Sequence, residues 1–160
     1  MMYYIGIPFV DRNKIDEDEL RNHSSFFKTK EEKVLFAEKI FESCKMRNNC
    51  VDLVIYFNAQ WNDPLLIEYH NKYYAGIPYF VQKLHSSTTI YTTIVKEDLI
   101  IGYRISHHRE DWLETIEQSY DADFNLIEYR EFLYEKGSDM IIGENIFYAS
   151  NWLINKERYD

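Results

Sequence analysis

The stretch TTIYTTIVKEDLIIGYRIS, residues 88–106, decides the expected fold class. Two runs rich in β-branched residues, 88–95 and 99–105, flank the polar tripeptide Lys96-Glu97-Asp98. Such side chains pack well on a pleated surface, and a short polar segment between two such runs is typical of a hairpin turn. The stretch therefore predicts two antiparallel strands joined by a tight turn.

Further strands are expected on both sides of this hairpin. Apolar residues alternate in CVDLVIYFNAQ (residues 50–60), a pattern that predicts a strand with one buried face. Residues 2–10 predict an N-terminal strand, and MIIGENIFYASNWLI (140–154) predicts a strand and a short terminal element. LLIEYHNKYYAG (65–76) is interpreted as a hairpin that turns at Asn71-Lys72.

Helices are expected in three places. One begins at the capping box formed by Thr29 and Glu32 and runs to about Arg47, because apolar residues follow at helical spacing. Two more are expected near 109–119 and 124–136. Strands grouped between helices, without regular strand–helix alternation, indicate an α+β fold with a mostly antiparallel sheet built from hairpins and three to four packed helices.

Composition narrows the class of protein. A chain of 160 residues with few glycines and prolines is expected to form a single globular domain, residues 1–160. Its net charge of −9 argues against nucleic acid as a partner and favours a basic protein. Two cysteines do not make a disulfide framework and no apolar run is long enough to span a membrane, so we expect a cytoplasmic protein. No motif indicates a cofactor or a metal.

The segment 109–136 is the candidate binding region, because it holds nine acidic residues against three basic ones, together with several aromatic residues. Aromatic side chains anchor protein interfaces, and carboxylates attract a basic partner. The predicted function is an immunity-type inhibitor that neutralises a basic bacterial toxin, such as a nuclease, by occlusion; a secretion-type chaperone is an alternative. The predicted partner-binding residues are Glu110, Asp111, Trp112, Glu114, Glu117, Tyr120, Asp121, Asp123, Glu128 and Tyr129.

A second alternative comes from an internal echo. The pattern Tyr-Tyr-x-Gly-Ile-Pro occurs at residues 3–8 and 73–78, and a His-x-Ser motif follows each copy. Two such motifs in a protein of this size resemble the 2H phosphoesterase superfamily. The resemblance implies hydrolysis of a phosphodiester or cyclic phosphate, with histidines as general acid and base and hydroxyls on the phosphate oxygens. The residues in these roles would be His23, Ser25, His85 and Ser87.

Overall fold

The structure, a computed structural model, describes most of the chain. The described residues are 2–7, 11–23, 25–29, 41–47, 50–150 and 154–159. Their contacts divide the chain into two compact units. Unit 1 consists of Met1–Lys83 and Thr93–Leu99, and unit 2 consists of Leu84–Thr92 and Ile100–Asp160.

Unit 1 is built from strands and a single described α-helix. Its strands are β1 (Met2–Ile7), β2 (Asp11–Ile15), β3 (Ser25–Thr29), β4 (Phe41–Arg47), β5 (Cys50–Phe57) and most of β6 (Tyr79–Ser86). A 3-10 helix spans Glu17–Asn22, and α1 spans Pro64–Tyr74. The strand order is β2-β1-β3-β4-β5-β6. All the recorded pairings in this series are antiparallel except β5 with β6, which is parallel because α1 carries the chain back between them.

The core of unit 1 lies between α1 and the sheet. Val54 and Tyr56 on β5 and Leu66 on α1 are fully buried there. Leu66, His70 and Tyr74 recur every four residues and face inward. The helix begins at Asp63, whose carboxylate accepts a hydrogen bond from the backbone N–H of Leu65 at 2.9 Å, with proline at the first helical position.

Unit 2 is a meander. Strands β8 (Leu99–His108, of which Leu99 belongs to unit 1), β9 (Glu114–Tyr120), β10 (Leu126–Tyr134), β11 (Ile141–Tyr148) and β12 (Ile154–Arg158) follow one another in space as in sequence. Each recorded pairing among them is antiparallel. Strand β7 (Thr89–Lys96, of which Thr93–Lys96 belongs to unit 1) precedes β8. The turn between β7 and β8, also part of unit 1, has Glu97 and Asp98 at φ values of 53° and 60°. The strands and the tight turn predicted for residues 88–106 are therefore confirmed.

The predicted α+β class with three to four packed helices is wrong. The described part of the chain is mostly sheet and contains one α-helix, α1, in a segment for which a hairpin was predicted. The predicted helices over 109–119 and 124–136 are instead turns and strands β9 and β10. The end of the helix predicted to run to Arg47 is strand β4, and its part over 30–40 lies outside the described residues.

Pairing with neighbouring strands explains these differences. Strand β4 completes the hydrogen-bond ladders of both β3 and β5, so the sheet overrides its local helical pattern. In β10, Glu128 and Arg130 form an ion pair two residues apart, the spacing of side chains on one face of a strand.

No helix in the described ranges has the length and apolar character needed to cross a membrane.

Candidate functional site

Three aromatic rings cluster where β9 turns into β10 in unit 2. Tyr103 on β8 lies directly opposite Tyr120 on β9. Phe124, in the connecting turn, stacks parallel on Tyr120 with ring centroids 4.5 Å apart, and its ring meets that of Tyr103 at 67° with centroids 5.3 Å apart. Phe124 nevertheless remains 55% exposed. We call Tyr103 and residues 120–125 together the aromatic turn.

The aromatic turn is held by the carboxylate of Asp121. One oxygen accepts hydrogen bonds from the backbone N–H groups of Asp123 (3.0 Å) and Asn125 (2.8 Å), and the other accepts one from the Asn125 side chain (3.0 Å). The hydrogen bond from the Asn125 side chain, followed by those from the backbone, lowers the pKa of Asp121. The backbone N–H of Phe124 also donates to the carbonyl of Asp121 at 3.1 Å. The turn is therefore ordered by hydrogen bonds within the turn itself.

Phe124 occupies an unfavourable backbone conformation. Its φ of 65° lies in the left-handed region, where a side chain with a Cβ is strained and glycine is the usual occupant. Because 55% of Phe124 is exposed, burial contributes little to stability at this position, and the main contribution of the ring to folding is its contacts with Tyr120 and Tyr103. Strain of this kind, maintained by the surrounding hydrogen bonds, is a feature of binding sites.

Apolar surface continues around the three rings. Ile101 lies two residues before Tyr103, on the same face of β8, and is exposed. Leu126 lies opposite Tyr120 and is exposed as well. Exposed apolar side chains grouped in this way mark interaction surfaces on soluble proteins.

Most of the net negative charge of the chain belongs to unit 2. The unit contains thirteen acidic and six basic residues, which gives it a net charge of −7 of the chain's −9. Within the aromatic turn itself, Asp123 is exposed and carries one of these carboxylates. The surface therefore combines aromatic rings with negative charge.

Other carboxylates of unit 2 are used inside the molecule. On one face of the sheet, a guanidinium nitrogen of Arg104 lies 3.3 Å from a carboxylate oxygen of Glu117. The guanidinium nitrogens of Arg130 lie 2.9 Å from a carboxylate oxygen of Glu128 and 3.1 Å from one of Glu144. Burial raises the pKa of Glu117, and the nearby carboxylates of Glu114 and Glu128 add to this, whereas the two arginines oppose it. Glu117 and Glu128 thus meet on one half-buried face, where arginines neutralise part of their charge.

The remaining predicted binding residues are dispersed. Glu110, Asp111 and Trp112 lie in the turn between β8 and β9, at the opposite end of β9 from the aromatic turn, and Asp111 pairs with Arg109. Glu114 begins β9, and Tyr129 packs against Phe147 on the sheet face opposite to that of Glu128. The structure brings together Tyr120, Asp121 and Asp123, but it does not unite all ten residues on one surface.

Sequence reasoning missed Tyr103 and Phe124. Tyr103 is seventeen residues from Tyr120, and only the register of β8 and β9 places the two side by side. Phe124 is the first residue of the helix predicted over 124–136, so the sequence pattern did not place it in a turn. An available signal was Asp121 followed by Asp123 and Asn125, because these residue types form hydrogen-bonded turns and tolerate left-handed conformations.

The two His-x-Ser motifs lie in different units. His23 follows the 3-10 helix in unit 1, and Ser25 begins β3. His85 lies on β6 in the part assigned to unit 2, where its ring stacks on that of Tyr91 with centroids 4.5 Å apart, and Ser87 lies in the next turn. A joint catalytic role for these residues stays a prediction.

Within the ranges that the structure describes, no group of three or more histidine, cysteine, aspartate or glutamate side chains is arranged to hold a metal ion.

Comparison with protein-family models, with curated proteins and with solved structures found no match to this chain.

Proposed function

We propose that this chain is an immunity-type, cytoplasmic protein that binds and neutralises a basic toxin, such as a nuclease, and that the aromatic turn is its contact surface. The observation that carries the proposal is the exposed, strained Phe124 stacked on Tyr120 beside Asp123. Aromatic residues, phenylalanine among them, are enriched in the buried cores of protein interfaces, and tyrosine is among the residues that most often dominate binding energy there.

Electrostatics supports the same proposal. The excess negative charge of unit 2 attracts a basic partner over long range and accelerates encounter, whereas the rings supply the contacts that slow dissociation. Since Asp121 already orders the turn, binding costs little conformational entropy there. Inhibition then follows from occlusion of the surface that the partner uses on its substrate.

The test uses the tagged full-length chain as bait in lysate of its host, at low and high salt, with bound proteins identified by mass spectrometry. We expect one basic protein to be retained by the wild type and by Met140→Ala, and lost with Phe124→Ala. Met140 is a matched control because it is also 55% exposed but lies immediately before β11, at the opposite end of β10 from the aromatic turn.

The captured partner is then assayed for toxicity and nuclease activity with and without this chain. Inhibition by the wild type that weakens in Phe124→Ala supports the proposal. Equal retention of the partner by Phe124→Ala would move the interface elsewhere, and a partner whose activity is unaffected would refute the inhibitory role.

A further inference from the structure

We infer that the aromatic turn receives an arginine side chain of the basic partner, with its guanidinium group stacked on Phe124 and facing the carboxylate of Asp123. This inference rests on the proposed function and specifies the chemistry of the contact. Three observations support it. The ring of Phe124 is open, the carboxylate of Asp123 is exposed, and the described contacts of the arginines of unit 2 lie outside the aromatic turn.

The open ring is that of Phe124. Tyr120 stacks on it in parallel and Tyr103 meets it at an angle, yet more than half of the residue stays exposed. A planar cation binds the face of an aromatic ring through the negative potential of the π system. A stack that begins with Tyr120 and Phe124 is completed naturally by a flat guanidinium group.

The available carboxylate is that of Asp123. The two oxygens of Asp121 accept hydrogen bonds within the turn, so its geometry is fixed by that role. Asp123 contributes its backbone N–H to this network, whereas its side chain is exposed immediately before Phe124 in the chain. A carboxylate next to an aromatic face matches the paired donors and flat surface of arginine better than the compact ammonium of lysine.

The arginines of unit 2 have partners elsewhere. Arg104 pairs with Glu117, Arg109 with Asp111, and Arg130 with Glu128 and Glu144. Arg158 donates to the backbone carbonyls of Glu144 and Glu157. Each of these guanidinium groups thus has a partner outside the aromatic turn, which leaves the arginine that completes the turn to another molecule.

The test measures binding of two probes, nona-arginine and nona-lysine peptides, to the full-length chain by isothermal titration calorimetry. Both peptides carry the same charge, so general attraction to an acidic protein affects them equally. We expect the arginine peptide to bind more tightly to the wild type. Phe124→Ala should weaken arginine binding by about 2- to 30-fold, the range for a cation on an aromatic face, and reduce the preference for arginine.

Matched variants isolate the carboxylate. Asp123→Asn should weaken arginine binding, whereas Asp139→Asn, which removes a charge that is also exposed from the turn between β10 and β11, should change it less. Equal binding of the two peptides, absence of binding, or equal effects of the two Asp→Asn variants would each overturn the inference. Loss of the partner from Phe124→Ala in the lysate experiment would still support the proposed function, so the two failures are distinguishable.

Discussion

Replacing Phe124 by alanine and by glycine separates the strain of its backbone from the contacts of its ring. Both substitutions remove the stacking on Tyr120 and the contact with Tyr103. Only glycine also removes the Cβ that makes a φ of 65° unfavourable. The structure therefore predicts that glycine, usually the more destabilising residue, gives the more stable variant here.

The magnitude follows from three contributions. Each aromatic pair contributes about 0.5–1.5 kcal/mol, so Phe124→Ala should lower the free energy of unfolding by about 1–2 kcal/mol, toward the lower part of the summed range because the ring is half exposed. Relief of left-handed strain gives back about 1–2 kcal/mol, whereas the greater chain entropy of unfolded glycine costs about 0.5–1 kcal/mol. Phe124→Gly should thus be more stable than Phe124→Ala by up to about 1.5 kcal/mol, with a central value of about 0.7 kcal/mol.

Urea-induced unfolding of the purified chain at one pH measures both free energies. Ala122→Gly is the control, because Ala122 lies in the same turn without a positive φ and the substitution should destabilise by about 0.5–1 kcal/mol. A Phe124→Gly variant that is less stable than Phe124→Ala would refute the reasoning about strain.

Two further predictions concern the sheet of unit 2. Burial raises the folded-state pKa of Glu117, so protonation of this residue stabilises the fold at acidic pH, and the stabilisation is lost as the pH rises through the folded pKa. Glu117→Gln should therefore become more stable relative to wild type as the pH rises from about 4 to 7. A difference in the free energy of urea unfolding that stays constant over this range would contradict the prediction. A Cβ at Gly102 would lie 2.7 Å from the backbone oxygen of Tyr120, so Gly102→Ala should lower the free energy of unfolding by about 1–3 kcal/mol, and wild-type stability would show that β8 and β9 do not approach so closely.

The hairpin of residues 88–106 and the strand β5 could be predicted from sequence because their local patterns agree with their pairing. The helix α1 carried recognisable signals that were misinterpreted. Asp63-Pro64 is a helix start, and Leu66, His70 and Tyr74 follow the four-residue spacing of a buried helical face. The interpretation as a hairpin gave more importance to the polar pair Asn71-Lys72 than to this periodicity.

The segment 109–136 misled for a different reason. Acidic residues mixed with apolar ones suggest an amphipathic helix, but Glu128 and Arg130, two residues apart on β10, pair on one side of an extended chain. Charged side chains lie on the half-buried faces of these strands, where neighbouring strands partly neutralise them. The sequence therefore lacks the regular alternation of polar and apolar residues that predicts a strand. The aromatic turn depends on that pairing, so its full composition could not be deduced before the register was known.

The meander of unit 2 also affects how the polypeptide reaches its native state. Each described ladder from β8 to β12 joins strands that are consecutive in the chain, separated by short connections. Contacts between segments close in sequence require little loop-closure entropy, and proteins rich in such contacts fold quickly. During synthesis each hairpin can form as soon as its second strand has emerged from the ribosome, so β8 and β9 can bring Tyr103 beside Tyr120 before the last strands are made.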